Sequence, residues 1–447
     1  MHAVRSLADY VHAAQGREPT AEAREAAIRC IFDLVSAVVV GLDASDVPGV
    51  RRIAQDAFGG GTTPIWFARM ATGMVGAAWS NSAAASALDL DDGNRLARGH
   101  PGAAVIPAAF ALASPNASLD EIVKAIIVGY EVGVSVGAAR RFWARTGMWS
   151  CYGAVAAAGL LRKTPPDRLA HAFAIAGMTA PNLLFAGGGP PYPDPEGNDV
   201  KEGIPWSTVT GLVAVLQAES GMTGPLDVLD HAEHCDSHAM IERLGVDPYI
   251  SKTYHKLYSC CRHIHAPVDA LRALIERHKL APDQIEAVEV HTYRGALRLS
   301  NRTEPANLVD VQYSIPYCLG LAAILGPSAL LPLTKDVLFR DDVAQFASKV
   351  TLHLDSGLNE RFPAETLTRV VVHCGCQVHE SAVTAPRGEA TDPLSWQELE
   401  EKFLTASRHI ATQGQQAEIL DAARQLKDGE IAPLMACLSQ MTFAGHV

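Results

Sequence analysis

Charged and aromatic residues are both scarce in this 447-residue chain, at 19% and 6%. With 48% hydrophobic residues beside so few charges, the composition excludes a disordered chain, which lacks the apolar material for a core. Basic residues are the minority sign, 37 against 49 acidic, and a net charge of −12 argues against binding nucleic-acid phosphates. Cysteine is too irregular for a disulfide framework: there are nine, an odd number with no repeating spacing. Two runs are notably apolar, Cys30 to Leu42 and Ala125 to Ala139, but Asp33 interrupts the first and Glu131 the second. Neither reaches the ~18 residues a membrane span needs. The opening Met1-His2-Ala3-Val4-Arg5-Ser6 is too polar for a signal peptide. The expectation is a cytoplasmic protein with no nucleic-acid or membrane partner. There is also no Gly-x-Gly-x-x-Gly turn, Walker loop, His-Glu-x-x-His or Gly-x-Ser-x-Gly elbow, so a nucleotide cofactor or serine nucleophile has no support.

What is present reads first as helices. Ala27, Cys30, Ile31, Leu34, Val35, Val38 and Val39 recur at helical spacing. Small-residue stretches at Ala77 to Leu88 and Ala154 to Leu161 suit close helix packing, and Asp120 to Ala138 reads as a central buried helix with Ser118 or Asp120 as its cap. Gly187-Gly188-Gly189-Pro190-Pro191 predicts a loop running to Asn198. After about Leu257 strand patterns enter, at Ile285 to His291, Lys349 to Leu354 and Thr368 to His373, with helices over Ala266 to Lys279 and Leu308 to Leu325. Helical spacing returns from Ser395 to Leu438. The predicted architecture is mainly α: a large all-α domain of residues 1–257 with 395–447, and a smaller α+β lid domain of residues 258–394.

Three segments concentrate chemistry. Leu88-Asp89-Leu90-Asp91-Asp92-Gly93-Asn94, followed by His100-Pro101-Gly102, gathers carboxylates and a histidine where crowding raises one carboxyl pKa. It also reads as an ordinary helix terminus. Gly197-Asn198-Asp199-Val200-Lys201 places a lysine beside a helix start, either against a substrate carboxylate or on the surface. Lys252 to Ala270 holds Lys256, Cys260, Cys261, Arg262, His263 and His265 at the expected domain boundary, where substrate clefts are common and a polar linker is the bland alternative. Neither Cys-Cys nor His-x-His has the spacing of a structural zinc site. Cys374-Gly375-Cys376 is read as packing, and His231, His234 and His238 as a solvated helix face.

In order along nearly the whole chain, these segments resemble the MmgE/PrpD family. The resemblance is carried by Asp89-Leu90-Asp91-Asp92 with His100-Pro101-Gly102, Val128-Gly129-Tyr130-Glu131-Val132, Gly211 to Gly224 ending Gly221-Met222-Thr223-Gly224, Lys256 to Asp269, Tyr313-Ser314-Ile315-Pro316-Tyr317, and Pro386-Arg387-Gly388 with Asp392-Pro393-Leu394. The family includes 2-methylcitrate dehydratase, cis-aconitate decarboxylase and iminodisuccinate epimerase. The resemblance implies a helical domain and a lid with the site between them, a homodimer, a small di- or tricarboxylate substrate, and no metal or organic cofactor. By position, Asp89, His100, Lys201, Lys256 and Tyr317 match residues that line the family's site, and His265 matches the histidine after its cysteine.

Two departures bear on the reaction. The histidine of a family His-x-Thr-Gly segment is Ala144 here, in Ala144-Arg145-Thr146-Gly147, and the residue after the paired aspartates is Gly93 rather than threonine or serine. Dehydration needs a base and an acid, whereas epimerisation needs a proton removed and returned beside an anchored carboxylate. With one usual acid missing, the reading leans to a cofactor-independent epimerase of the iminodisuccinate type, with a dehydratase or decarboxylase as the alternative. A binding protein that kept the fold is a third reading. In the expected mechanism His100 and His265 exchange protons, Asp89 orients a histidine and Tyr317 supplies a hydrogen bond. Lys201, Lys256 and Arg262 hold carboxylates, with Cys261 and Thr146 also lining the substrate.

Overall fold

A computed structural model describes residues 1–114, 116–142, 144–181 and 200–445. Its described residues form nineteen α-helices and only short strands, so the fold is mainly α. The loop expected over 187–198 lies outside the described residues.

Amphipathic and fully apolar helices build the larger core. Ala3–Ala14 buries Val4, Leu7, Ala8 and Val11, one face at helical spacing. Ala21–Gly41 starts at Thr20, whose hydroxyl accepts from the Ala23 amide, and is buried along most of its length. Ser118 and Glu121 close a capping box at the start of Leu119–Ala139. That helix is long and apolar enough to cross a membrane, yet it lies mostly buried inside the fold. Its Glu131 accepts from the amides of Gly245, at 2.6 Å, and Tyr249, at 3.0 Å, an arrangement of a core helix rather than a span. Leu119–Ala139 packs on Ser150–Arg162 at backbone distance: a Cβ on Gly153 would stand 2.8 Å from the Gly129 carbonyl.

The smaller core runs from Tyr258 to Val372. Its four-stranded sheet has the order Val350–Leu354, Ala287–Thr292, Arg369–Cys374, Gln377–Glu380; the first pair is parallel and the others antiparallel. Val288, Val290 and Thr292 alternate inward, facing a core that includes helices Arg262–His278 and Ile315–Ile324. The single helix expected over Leu308 to Leu325 is two, Leu308–Gln312 and Ile315–Ile324, because Ser314 caps a new start with Pro316 in its first turn. Cys374-Gly375-Cys376, expected to pack, is instead the tip of a hairpin. Cys374 pairs with Gln377, Gly375 takes the left-handed φ of +58°, and Cys376 is exposed.

Helices Trp396–Ala406, Gln413–Lys427 and Ala432–Gln440 return to the larger core through Leu399, Phe403, Ile419 and Leu434. Lys402 is buried there and meets Asp33 at 2.6 Å. A two-residue ladder, Gly93↔Tyr254 and Asn94↔Thr253, then ties the aspartate loop to the lysine segment. Gly93 is required for this approach, since a Cβ would come within 2.3 Å of the Tyr254 ring. The pairing sets Asp89 and Lys256 side by side.

Candidate active site

Helix Met74–Ser86 ends just before Asp89, whose φ of +56° turns the chain through the left-handed region. Aspartate tolerates that conformation better than most residues. The turn delivers three carboxylates in different directions. Asp92 accepts from the Tyr130 hydroxyl at 2.5 Å and from the Gly102 amide at 3.1 Å, so it fixes the start of helix Gly102–Leu112. Burial pushes its carboxyl up to about 7, against the Tyr130 hydrogen bond. Asp92 is therefore part of the scaffold. Asp89 and Asp91 face His100: its Nε2 lies 3.5 Å from Asp89 and its Nδ1 3.3 Å from Asp91.

Two lysines close on Asp89. Lys201 Nζ stands 2.5 Å from one carboxylate oxygen and Lys256 Nζ 3.3 Å from the other. Lys256 also donates to the Asp89 carbonyl at 2.7 Å. Asp89, His100, Lys201 and Lys256 are all buried. Burial alone would raise the Asp89 carboxyl, but Lys201 and Lys256 outweigh it and hold the group well below the usual carboxylate range. Burial and the Lys256 charge oppose protonation of His100, yet Asp91 and Asp89 raise its pKa above the ordinary histidine value. Lys201 is likewise raised against burial by Asp89 and Glu202. Their neighbours thus favour the protonated forms of Lys201 and His100.

Thr146 joins the cluster, accepting from the His100 amide at 3.2 Å. Cys261 contributes no thiolate, because burial and the Asp89 charge push its thiol up to about 12. The other expected residues are committed elsewhere. The Tyr317 hydroxyl donates to the Val337 carbonyl at 2.7 Å inside the smaller core, because Tyr317 is within its helix and faces inward. Arg262 is paired with Glu389 at 2.7 Å, and Arg95 binds the same carboxylate. His265 has both ring nitrogens in contact, Nε2 with the Cys260 carbonyl at 3.2 Å and Nδ1 with Arg262 at 3.5 Å. Burial, then Arg262, lower the His265 pKa well below the ordinary histidine value and favour the neutral ring.

Two residues of the site were not anticipated. The Tyr313 hydroxyl accepts from Lys201 and donates to Glu202 at 3.0 Å. Glu202 takes the Thr146 hydroxyl at 2.8 Å and amide at 3.1 Å on its other oxygen. Tyr313 stood in the quoted Tyr-Ser-Ile-Pro-Tyr segment and Glu202 directly follows Lys201, but neither carries a local signal of its own.

Ligand atoms of Asp89, Asp91 and His100 lie within 4.8 Å of one another, a spacing open to a metal ion. The ammonium groups already on Asp89 fit this set poorly to a divalent cation, which would face both lysine charges. What the geometry suits is an anion: a carboxylate would have two ammonium groups to meet, with a histidine able to give a proton beside them.

Comparison with known proteins finds relatives along most of the chain. Two cis-aconitate decarboxylases, from Aspergillus terreus and from A. terreus strain NIH 2624 / FGSC A1156, are each 26% identical, over 416 and 409 residues. Each alignment covers 82% of this chain and 81% of the relative. The MmgE/PrpD N-terminal domain matches residues 5–239 and the MmgE/PrpD C-terminal domain matches residues 258–428. Spanning nearly all of its length with both domains in order, the chain belongs to the MmgE/PrpD family.

Proposed function

We propose that this protein is a lyase acting on a small di- or tricarboxylate, with decarboxylation of a cis-aconitate-like substrate as the reaction the site supports best. The observation that carries the reading is the buried Asp89 held between Lys201 and Lys256, with His100 bridging to Asp91. The decarboxylase names of the relatives give it direction.

In such a reaction the bond from carbon to the departing carboxylate breaks and carbon dioxide leaves. The electron pair passes into the adjacent carbon–carbon double bond, which shifts, and the far alkene carbon takes a proton. The protein must hold the remaining carboxylates, stabilise the delocalised anion and supply that proton. Lys201 and Lys256 serve the first two needs. His100 serves the third, because the two aspartates that orient its ring also favour its protonated form. Lys201, Lys256 and His100 are opposed by Asp89, Asp91 and Glu202. Selectivity then comes from where the cations stand, since a net charge of −12 provides no long-range attraction for an anion.

The epimerase reading rested on Ala144, which is buried and takes no proton. It stays second: His100 supplies an acid without a histidine at 144, and both named relatives are decarboxylases. Incubation with cis-aconitate in deuterium oxide separates the two. Carbon dioxide released with one deuterium per product molecule is the expected result. Exchange at the α-carbon of a chiral substituted succinate, without loss of carbon dioxide or water, would instead establish an epimerase and overturn the lyase.

A further inference from the structure

Glu202 stands at the junction of the two cores. It follows Lys201 with a left-handed φ of +51°, just before helix Ile204–Glu219 of the larger core. One carboxylate oxygen accepts from Tyr313, which precedes helix Ile315–Ile324 of the smaller core. The other accepts twice from Thr146 of the helical part. Each partner then touches a residue that meets Asp89. The Tyr313 hydroxyl accepts from Lys201, whose ammonium also lies 4.5 Å from the Tyr313 ring centre, and Thr146 accepts from the His100 amide. Six residues thus close a circuit: Asp89, Lys201, Tyr313, Glu202, Thr146, His100 and back to Asp89.

We propose that Glu202 is the positioning residue of this site, joining the lid tyrosine to Thr146 so that Lys201 and His100 are held in one register against Asp89. The proposal rests on the reading of the Asp89 cluster as the reacting centre. Glu202 is not assigned a proton-transfer step, because both its oxygens already accept from protein donors. An ionised carboxylate there makes the arrangement directional: Tyr313 spends its only proton on Glu202 and turns a lone pair to Lys201. Although burial opposes the charge, Lys201, His100 and Arg145 hold Glu202 down to about 2, so the direction persists across the neutral range.

The test reads Tyr313 without any substrate. The charged and titratable groups facing it are Glu202, Asp89, Cys261, Arg145 and Lys201. Glu202→Gln keeps the shape and removes the anion that stabilises the phenol proton, while Lys201 remains. Tyrosinate titration by ultraviolet difference absorbance should show one tyrosine ionising at least one pH unit lower than in the wild type. That signal should vanish in the Glu202→Gln/Tyr313→Phe double variant. With cis-aconitate, kcat should fall about tenfold with KM within threefold, and Glu202→Asp should recover part of kcat. An unchanged tyrosinate curve would overturn the proposal, as would a Glu202→Gln protein without the wild-type circular dichroism, which marks a purely structural residue. If the wild type fails to turn over cis-aconitate while the tyrosine shift is present, the decarboxylase reading falls and the role of Glu202 stands.

Discussion

Lys256 meets Asp89 twice, with its ammonium 3.3 Å from the carboxylate and 2.7 Å from the carbonyl oxygen of the same residue. A lysine that grips both the charge and the backbone of a left-handed aspartate fixes the loop as well as its field. Lys256 has no exposed surface, so solvent does little to screen its ion pair with Asp89. Lys256→Met should lower kcat for cis-aconitate at least ~100-fold and destabilise the fold by roughly 3–5 kcal/mol, the range for breaking a buried pair. Urea denaturation and steady-state kinetics check the two parts. Lys256→Arg should not restore activity, because a planar guanidinium needs a different and larger space.

In the proposed reaction, His100 as proton donor predicts a pH dependence of definite sign. Its pKa is raised above the free-histidine value by Asp91 and Asp89. As the proton donor it should lose kcat as pH rises through that folded value. Stability follows the same sign: the contribution is complete below the unfolded pKa of about 6.5 and lost as pH climbs through the folded one. The stability gap between wild type and His100→Gln, followed by denaturation from pH 6 to 9, should therefore narrow with rising pH. A constant gap would remove the case for a charged His100.

Much of this site was legible from the sequence because its charged residues cluster beside turns. The Asp89 to His100 segment, Lys201 and Lys256 all stood out by chemistry and order. The Gly93–Asn94 pairing with Thr253–Tyr254 did not, since two residues are too short to show a strand period. Arg262 was assigned to the substrate by residue type and His265 by its place in the resemblance, whereas Glu389, which pairs with Arg262 and so draws it away, lies more than a hundred residues along the chain. Glu202 was hidden for the opposite reason: an acidic residue in a loop looks solvated until Thr146 and Tyr313 are seen around it.

Asp92 yields a stability prediction separate from catalysis. Its carboxyl is pushed up to about 7 by burial, so the folded state favours the neutral form. The stabilisation is complete below the unfolded value near 4 and is lost as pH rises towards about 7. Asp92→Asn, neutral at every pH, should flatten the fall in unfolding free energy between pH 4 and 7. Equal slopes for the two proteins would show that Asp92 is ionised in the fold.

Lys402 and Asp33 form a buried pair behind the aspartate loop, and Lys402 also lies 3.3 Å from the Leu90 carbonyl. Lys402→Met leaves Asp33 uncompensated and should cost roughly 3–5 kcal/mol. The double variant Lys402→Met/Asp33→Leu should recover most of that loss, because no unpaired charge remains in the core. Chemical denaturation of the three proteins measures the coupling. If the double variant is no more stable than Lys402→Met, the pair is not the source of the cost.

Tyr313 and Tyr317, four residues apart, should respond in opposite ways. Ser314 caps helix Ile315–Ile324, leaving Tyr313 outside it against Lys201 and Glu202, while Tyr317 within it turns into the smaller core. Tyr313→Phe should reduce kcat at least ~10-fold with little change in stability, since it removes a hydrogen bond at the reacting centre. Tyr317→Phe should keep kcat within about threefold of wild type and cost roughly 1–3 kcal/mol, because the buried Val337 carbonyl loses its donor. Kinetics with cis-aconitate and urea unfolding on both variants decide the matter. An inactive but fully stable Tyr317→Phe would return that residue to the site and overturn the assignment of Tyr313.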